Sequence, residues 1–212
     1  METITKSGLY YPNRLVLATF NALIDLMGRN GLNAILNYAH LRELIDHYPP
    51  DNLEKGFDFA DFTAIQIAIE DMYGEQGGHT FLKRAGRTAF AASLCKYGAL
   101  AGMSDAAFRG LPLQTRLRIG IQALARIFSQ ISDQTTSVEE YETHYRYIVH
   151  QCPVCRERIG MEKSICSFGI GLLEEGLRWI SGGSEFRVNE TKCRAMGDDV
   201  CEYSIEKSPI DN

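Results

Sequence analysis

The hydrophobic period of this 212-residue chain changes once, and that change bounds the folds open to it. Up to about residue 131 the apolar residues recur every three to four positions. From Tyr141 they alternate: in "YETHYRYIVHQC", Tyr141, Thr143, Tyr145, Tyr147 and Val149 are set against Glu142, His144, Arg146 and His150. Helices first, then a strand with an aromatic face, a helix and a hairpin, predict an α+β domain with N-terminal helices packed against an antiparallel sheet. The chain reads as one domain over residues 1–212, mainly helical over 1–131 and built of strand, helix and hairpin over 138–212.

Asn13 is placed to cap a first helix running to about Gly28, with Leu15, Ala18, Ala22 and Leu26 on one stripe, and Asn30 to start a second through "LNAILNYAHL". The turn-rich "HYPPDNLEKG" separates these from a helix over 58–73, whose Phe59, Phe62, Ile65, Ile69 and Met72 share a face. "EQGGHTFLKRAGRTAFAASLCKYG" and "LPLQTRLRIGIQALARIFSQI" supply two more, Ala85, Ala89 and Ala92 leaving one side of the former open to close approach. "SDQTTSVEE" reads as a polar linker. After the tyrosine-rich strand, "ICSFGIGLLEEGLRWISGG" is a helix ended by Gly182-Gly183, and "EFRVNETKC" returns as "VCEYSIE" in a hairpin.

Composition excludes several partner classes. The net charge of -5 and the lack of a dense basic run argue against direct nucleic-acid binding. The longest apolar runs, such as "TAFAASLCKYGALAG", are interrupted before the roughly 18 residues of a membrane span. "PNRLVLATFNALIDL" imitates a signal peptide, but Asn21 and Asp25 interrupt it and no small-residue cleavage site follows. Six cysteines without a secretory signal then predict a reducing, cytoplasmic setting in which thiols bind metal or stay buried.

Five of those cysteines, Cys152, Cys155, Cys166, Cys193 and Cys201, lie in the second half; Cys95 alone lies in the helical part. With Met196-Gly197-Asp198 as a three-residue loop, Cys193 falls opposite Cys201, with Cβ atoms about 4.5–5.5 Å apart. Zinc takes four ligands from thiolate, imidazole and carboxylate. Glu190 and a cysteine of the preceding helix would complete such a set, provided a bulge near Thr191-Lys192 brings Glu190 and Cys193 to one face. Cys152-x-x-Cys155 has a zinc-knuckle spacing of its own. Inert buried thiols and a Cys193–Cys201 disulfide are the other readings of the same residues.

The stretch from "CSFGIGLLEEGLRWISGG" through "ETKCRAMGDDVC" resembles the 4-vinyl reductase, or hydrocarbon-binding, domain family, in which a Cys-led glycine-containing helix precedes E-x-x-C and then a-x-G-x-x-x-C. "FADFTAIQIAIEDMYGEQGGHTFLKRAGRTAF" is similar to it more weakly, so the resemblance runs from about residue 57. The "CP" of "QCPVC" matches as well, and Cys155 is an addition to the pattern. The resemblance implies a non-enzymatic domain that binds or senses a small hydrophobic or aromatic molecule. Through related sensor domains of phenol-responsive bacterial regulators it also implies a zinc site of Cys166, Glu190, Cys193 and Cys201, with Cys152 and Cys155 as alternates. Four protein ligands leave no open position, so the zinc would be structural. The family name admits an accessory role in binding a tetrapyrrole such as a chlorophyll precursor. Likeness to the small TRAPP vesicle-tethering subunits admits a dimeric interaction scaffold and implies a homodimer.

No residue is assigned a catalytic role. "GIGLLEEG" does not match G-x-G-x-x-G, and no site for a hydride or electron source is visible. Glu174 and Glu175 point about 100° apart and read as a solvated helix face. Lys83, Arg84, Arg87, Arg116, Arg118 and Arg126 read as ordinary exposed charge. Trp179, Phe168 and Leu172 on the last helix, facing Tyr145 and Tyr147 with His144 nearby, are the candidate lining of a ligand pocket. Gly169, Gly171 and Gly176 in that helix cost about 1 kcal/mol each relative to alanine, which close backbone approach or room for a ligand would offset. A signalling role would act through a separate output partner.

Overall fold

The computed structural model describes residues 4–96, 100 and 102–210. A short strand β1 (Tyr10–Pro12) leads into helix α1 (Asn13–Tyr38), and β2 (Lys55–Asp58), antiparallel to β1, leads into α2 (Phe59–Ala92). Pro12 rather than Asn13 occupies the N-cap of α1; Asn13 is turned inward, where its amide nitrogen donates to Asn52 Oδ1 at 2.9 Å. Asp58 caps α2, its carboxylate accepting from the Ala60 amide at 2.7 Å.

Each long helix is broken at one glycine. Gly28 (φ 76°, ψ 164°) and Gly74 (φ 73°, ψ 164°) adopt a conformation essentially reserved for glycine, so the paired helices expected from the sequence meet at corners rather than across loops. A Cβ at either corner would meet nothing within 4 Å, so the requirement is purely one of backbone conformation. Gly74→Ala is therefore expected to cost about 1–3 kcal/mol without any new clash, read as a lowered midpoint in denaturant; an unchanged midpoint would show that the corner tolerates L-residues. The helix expected to run to Gly98 ends at Ala92, and Tyr97 and Gly98 lie outside the described residues.

After a single turn α3 (Ala106–Arg109), helix α4 (Leu113–Ile131) precedes the main sheet. Strands β3 (Thr136–Glu140), β4 (His144–Val149), β5 (Phe186–Lys192) and β6 (Cys201–Pro209) are antiparallel in the order β3-β4-β6-β5, with helix α5 (Ser167–Ser181) between β4 and β5 in sequence. The supposed polar linker is thus an edge strand. Its Thr136 and Val138 are half-buried while Ser137 and Glu139 face out, an alternation masked because only one of the inward residues is apolar. The tyrosine strand is shorter than expected: Tyr141 lies in the β3–β4 turn, exposed, and Tyr145, Tyr147 and Val149 face the core.

Helix α5 packs on α2, α4 and β5, and α4 on β3, giving the expected α+β arrangement. Among the described residues no helix is long and apolar enough to cross a membrane. Along α5 the stripe Phe168–Leu172–Trp179 follows α2: Phe168 meets Phe62 with ring centroids 5.2 Å apart, and three turns later Trp179 meets Phe90 at 6.3 Å. The crossing is glycine-mediated, since a Cβ at Gly171 would lie 1.9 Å from the Lys83 carbonyl oxygen and one at Gly86 2.2 Å from that of Phe168. Ala85 and Ala89 are fully buried, so the small-residue face meets this chain's own core; Ala92 is exposed.

Charges around α5 depart from the expected solvated face. Glu174 is buried, 2.7 Å from Lys83 Nζ, and Arg87 bridges Glu175 at 3.1 Å and Glu185 at 2.8 Å. Arg109 and Arg116 donate to the carbonyls of Trp179 and Ser181 at 2.7 and 2.6 Å, complementing the negative end of the helix. Arg84 and Arg126 are exposed, as expected.

Candidate metal centre

Five cysteines and one glutamate converge where the hairpin, the start of α5 and the β4–α5 loop meet. Cys201 opens β6, opposite Val149 of β4. Glu190 pairs with Tyr203 and Lys192 with Glu202, so the register slips between them; this is the bulge the sequence required, and it lets Glu190 and Cys193 serve one site. Cys193 stands just past β5 in extended backbone (φ −139°, ψ 127°), and its amide donates to Asp198 Oδ2 at 2.8 Å. The connection from Cys193 to Cys201 is longer than the expected three-residue loop: a 3-10 turn over Arg194–Met196, then Gly197 at φ 102°. Cys166 is the N-cap of α5, and its amide donates to Glu190 Oε2 at 2.9 Å.

Cys152 and Cys155 lie on the β4–α5 loop, which α2 holds in place. Thr63 of α2 donates to the Pro153 carbonyl at 2.8 Å and accepts from the Arg156 amide at 3.2 Å, while Arg158 pairs with Glu70 through contacts of 3.0 and 2.7 Å. Thr63→Val would strand both backbone groups, and it is expected to speed metal loss to a chelator several-fold while leaving the bound amount unchanged at equilibrium. Equal release rates in variant and wild type would show that the loop does not depend on this contact.

The sulfur positions match tetrahedral coordination. Zn–S bonds of about 2.3 Å place neighbouring sulfurs roughly 3.8 Å apart. The observed separations are 3.6 Å for Cys152–Cys166, 3.4 Å for Cys155–Cys201, and 3.9 Å for both Cys166–Cys193 and Cys166–Cys201. Two four-ligand sets result, Cys166, Glu190, Cys193 and Cys201, and Cys152, Cys155, Cys166 and Cys201; within each, all ligand atoms lie within 4.8 Å of one another. The four ligands implied by the resemblance and both alternates are thus brought together, whereas Cys95 lies apart, its Sγ on the Ala91 carbonyl. These separations exceed a disulfide bond of about 2.05 Å.

Electrostatics make the cluster costly without a cation. All five sulfurs are buried. Contacts from Cys155, Cys166 and Cys201 pull the Cys152 thiol down, burial pushes Cys166 up, and burial followed by the neighbouring Cys193 raises the Glu190 carboxyl to about 9. One Glu190 oxygen, Oε1, is buried without a hydrogen-bond partner. Six acidic groups in one dry volume cannot ionise together unless positive charge is brought in, which a divalent ion supplies.

The 4-vinyl reductase domain family matches residues 145–207, a span holding all five clustered cysteines and Glu190. This stretch is a 4-vinyl reductase domain. It begins within β4 and ends within β6, so the metal centre lies wholly inside it and α2 supports it from outside. Comparison with curated protein sequences finds no match. Among solved structures, the chain is similar to an oxygen-binding H-NOX domain related to soluble guanylate cyclases (TM-score 0.57, 14% identity, covering 95% of this chain and 97% of that one). It is also similar to a point mutant of T. Tengcongensis H-NOX (0.60, 13%, 94% and 99%) and to an Fe(II) unliganded H-NOX protein from K. algicida (0.58, 12%, 95% and 97%). At these identities the likeness concerns the fold alone.

Beside the cysteine cluster of this 4-vinyl reductase domain lies the one expected ligand space that the structure bears on. A narrow cavity of about 30 Å³, room for a water, opens between helices and sheet, lined by Tyr11, Phe128, Tyr147, Phe168, Leu172 and Tyr203, with Cys152 of the cluster also in its wall. Phe168, Leu172 and Tyr147 are therefore where the sequence put them, but the other three candidates are not. Trp179 shares their helical stripe yet sits three turns further on, beneath the Arg109 guanidinium at 5.4 Å. Tyr145 is two residues away along the strand, covered by Lys207, whose Nζ lies 4.8 Å from the ring centroid. His144 faces the other side of the sheet, stacked on Tyr141 at 4.9 Å. Periodicity assigns a face; it does not say how far along that face a cavity extends.

Tyr11, Gln134 and Tyr203 were missed as lining residues. Tyr11 comes from β1 and donates to Gln134 Oε1 at 2.7 Å, a contact across the fold with no local signal. Burial pushes the phenols of Tyr11, Tyr147 and Tyr203 up, so the cavity presents neutral hydroxyls.

Proposed function

We propose that the protein is a non-enzymatic domain that binds or senses a small apolar or aromatic molecule, and that a structural zinc ion at the cysteine cluster stiffens one wall of the binding space. The observation that carries this reading is the shared wall. Cys152 belongs both to a four-ligand set and to the lining of an aromatic cavity, so occupancy of one bears directly on the shape of the other. The cavity also holds a polar handle for a phenolic or carbonyl ligand, because the Tyr147 hydroxyl is buried with no hydrogen-bond partner.

The names of the solved neighbours speak of heme and of an oxygen complex. The residues present here do not suit a heme: no histidine is among the described lining residues, and the free volume is about 30 Å³. A small aromatic molecule that displaces a few side chains fits the lining better than a tetrapyrrole. A homodimer belongs to the same reading and is checked by sedimentation.

Native mass spectrometry of freshly purified protein is expected to show bound zinc. Titration with phenol and alkylphenols should raise the melting temperature, whereas added hemin should give no Soret band shifted from that of free hemin. Zinc-free protein that ignores phenols would overturn the reading, and a protein-induced Soret shift would favour the tetrapyrrole role. Tyr147→Phe removes an unsatisfied hydroxyl, so unliganded stability should stay level or rise by up to about 1 kcal/mol while phenol affinity falls up to roughly tenfold. Equal affinity in both forms would exclude Tyr147 as the handle.

A further inference from the structure

The zinc reading uses one set of four ligands and leaves two buried thiols without a task. The two four-ligand sets share an edge, Cys166 and Cys201, whose sulfurs are 3.9 Å apart. Outside that edge, Cys152 and Cys155 belong to one set, and Glu190 and Cys193 to the other.

A single ion leaves a remainder in either place. In the glutamate set, Cys152 and Cys155 stay buried as thiols 3.6 and 3.4 Å from metal-bound sulfurs. In the all-cysteine set, Glu190 stays behind with its Oε1 buried and unpartnered. Two ions in four-coordination need eight donor positions. Six ligand atoms supply them when two bridge, and thiolate sulfur has the lone pairs to do so. The charge also balances no worse: two divalent ions with six anionic ligands leave the same two negative charges as one ion with four.

We propose that the cluster is a binuclear thiolate centre for divalent ions of the zinc type. Cys166 and Cys201 bridge, Cys152 and Cys155 complete one ion, and Glu190 and Cys193 complete the other. The proposal rests on the zinc reading above and extends it to a second ion. It gives the added cysteine of the knuckle, Cys155, a role as a terminal ligand, and it ties the loop that walls the cavity to the hairpin through two shared sulfurs.

The test uses the full chain purified from zinc-supplemented cells. Elemental analysis is expected to give two zinc ions per chain, and NMR of the cadmium-exchanged protein two cadmium resonances split by each other through the bridging sulfurs. Cys155→Ser and Cys193→Ser should each retain one ion, of different sets. One zinc per wild-type chain, or cadmium resonances without mutual splitting, would overturn the binuclear centre and leave the single structural zinc standing. No zinc at all would remove both.

Discussion

Cys201→Ser is expected to empty the metal centre and to lower the melting temperature by roughly 6–12 °C. Cys201 is the ligand to choose because it belongs to both four-ligand sets, so its loss breaks coordination whichever set is filled. A structural zinc contributes folding energy outright, about 10–16 kcal/mol in peptides that have no other core. Here an extensive core shares the load, and we assign the substitution about 3 kcal/mol or more. At roughly 2–4 °C per kcal/mol for a chain of this size, that is the stated shift. Part of the cost needs no metal, since Cys201 is fully buried and a serine hydroxyl there must find a partner or pay about 1–3 kcal/mol. A chelator separates the two contributions: it should lower the melting temperature of the wild type and leave that of the variant unmoved. Equal metal content and equal melting in both proteins would end the claim that these sulfurs hold an ion.

Gly171→Ala is expected to destabilise by about 3 kcal/mol although it places the best helix former in a helix. The propensity gain is about 1 kcal/mol. Against it stands a Cβ 1.9 Å from the Lys83 carbonyl oxygen and 2.7 Å from its carbon, and both are backbone atoms that no rotamer change can move. Helices α2 and α5 must separate, opening the packing around Ala85, Ala89 and Phe168 and straining the Lys83–Glu174 pair. Overpacking of a dense core typically costs 1–3 kcal/mol, and a backbone obstacle puts this case at or above the upper end. Gly86→Ala meets the same crossing from the other side, 2.2 Å from the Phe168 carbonyl oxygen, so the double variant should cost less than the sum of the single ones. Chemical denaturation measures all three. A Gly171→Ala variant as stable as the wild type would show that the crossing has slack.

What could be read from the chain alone is what neighbouring residues settle among themselves. Turn chemistry at Gly28 and Gly74 marked the ends of helices whose corners proved to need glycine backbone. The three-residue spacing of Glu190 and Cys193 on a strand demanded a bulge, and the register slips there. The resemblance carried by "ETKCRAMGDDVC" pointed to Cys166, Glu190, Cys193 and Cys201, which do meet. Tertiary structure alone decided the rest. Thr136–Glu140 becomes a strand because β4 supplies its hydrogen bonds, not because its own residues favour one. Glu174 is buried because Lys83 and Arg87 come from another helix to meet it, and Cys155 joins the cluster because Thr63 and Glu70 of α2 hold its loop. Periodicity and turn propensity act over a few residues and survive in any context, whereas these distances are set only when segments remote in the chain pack against one another.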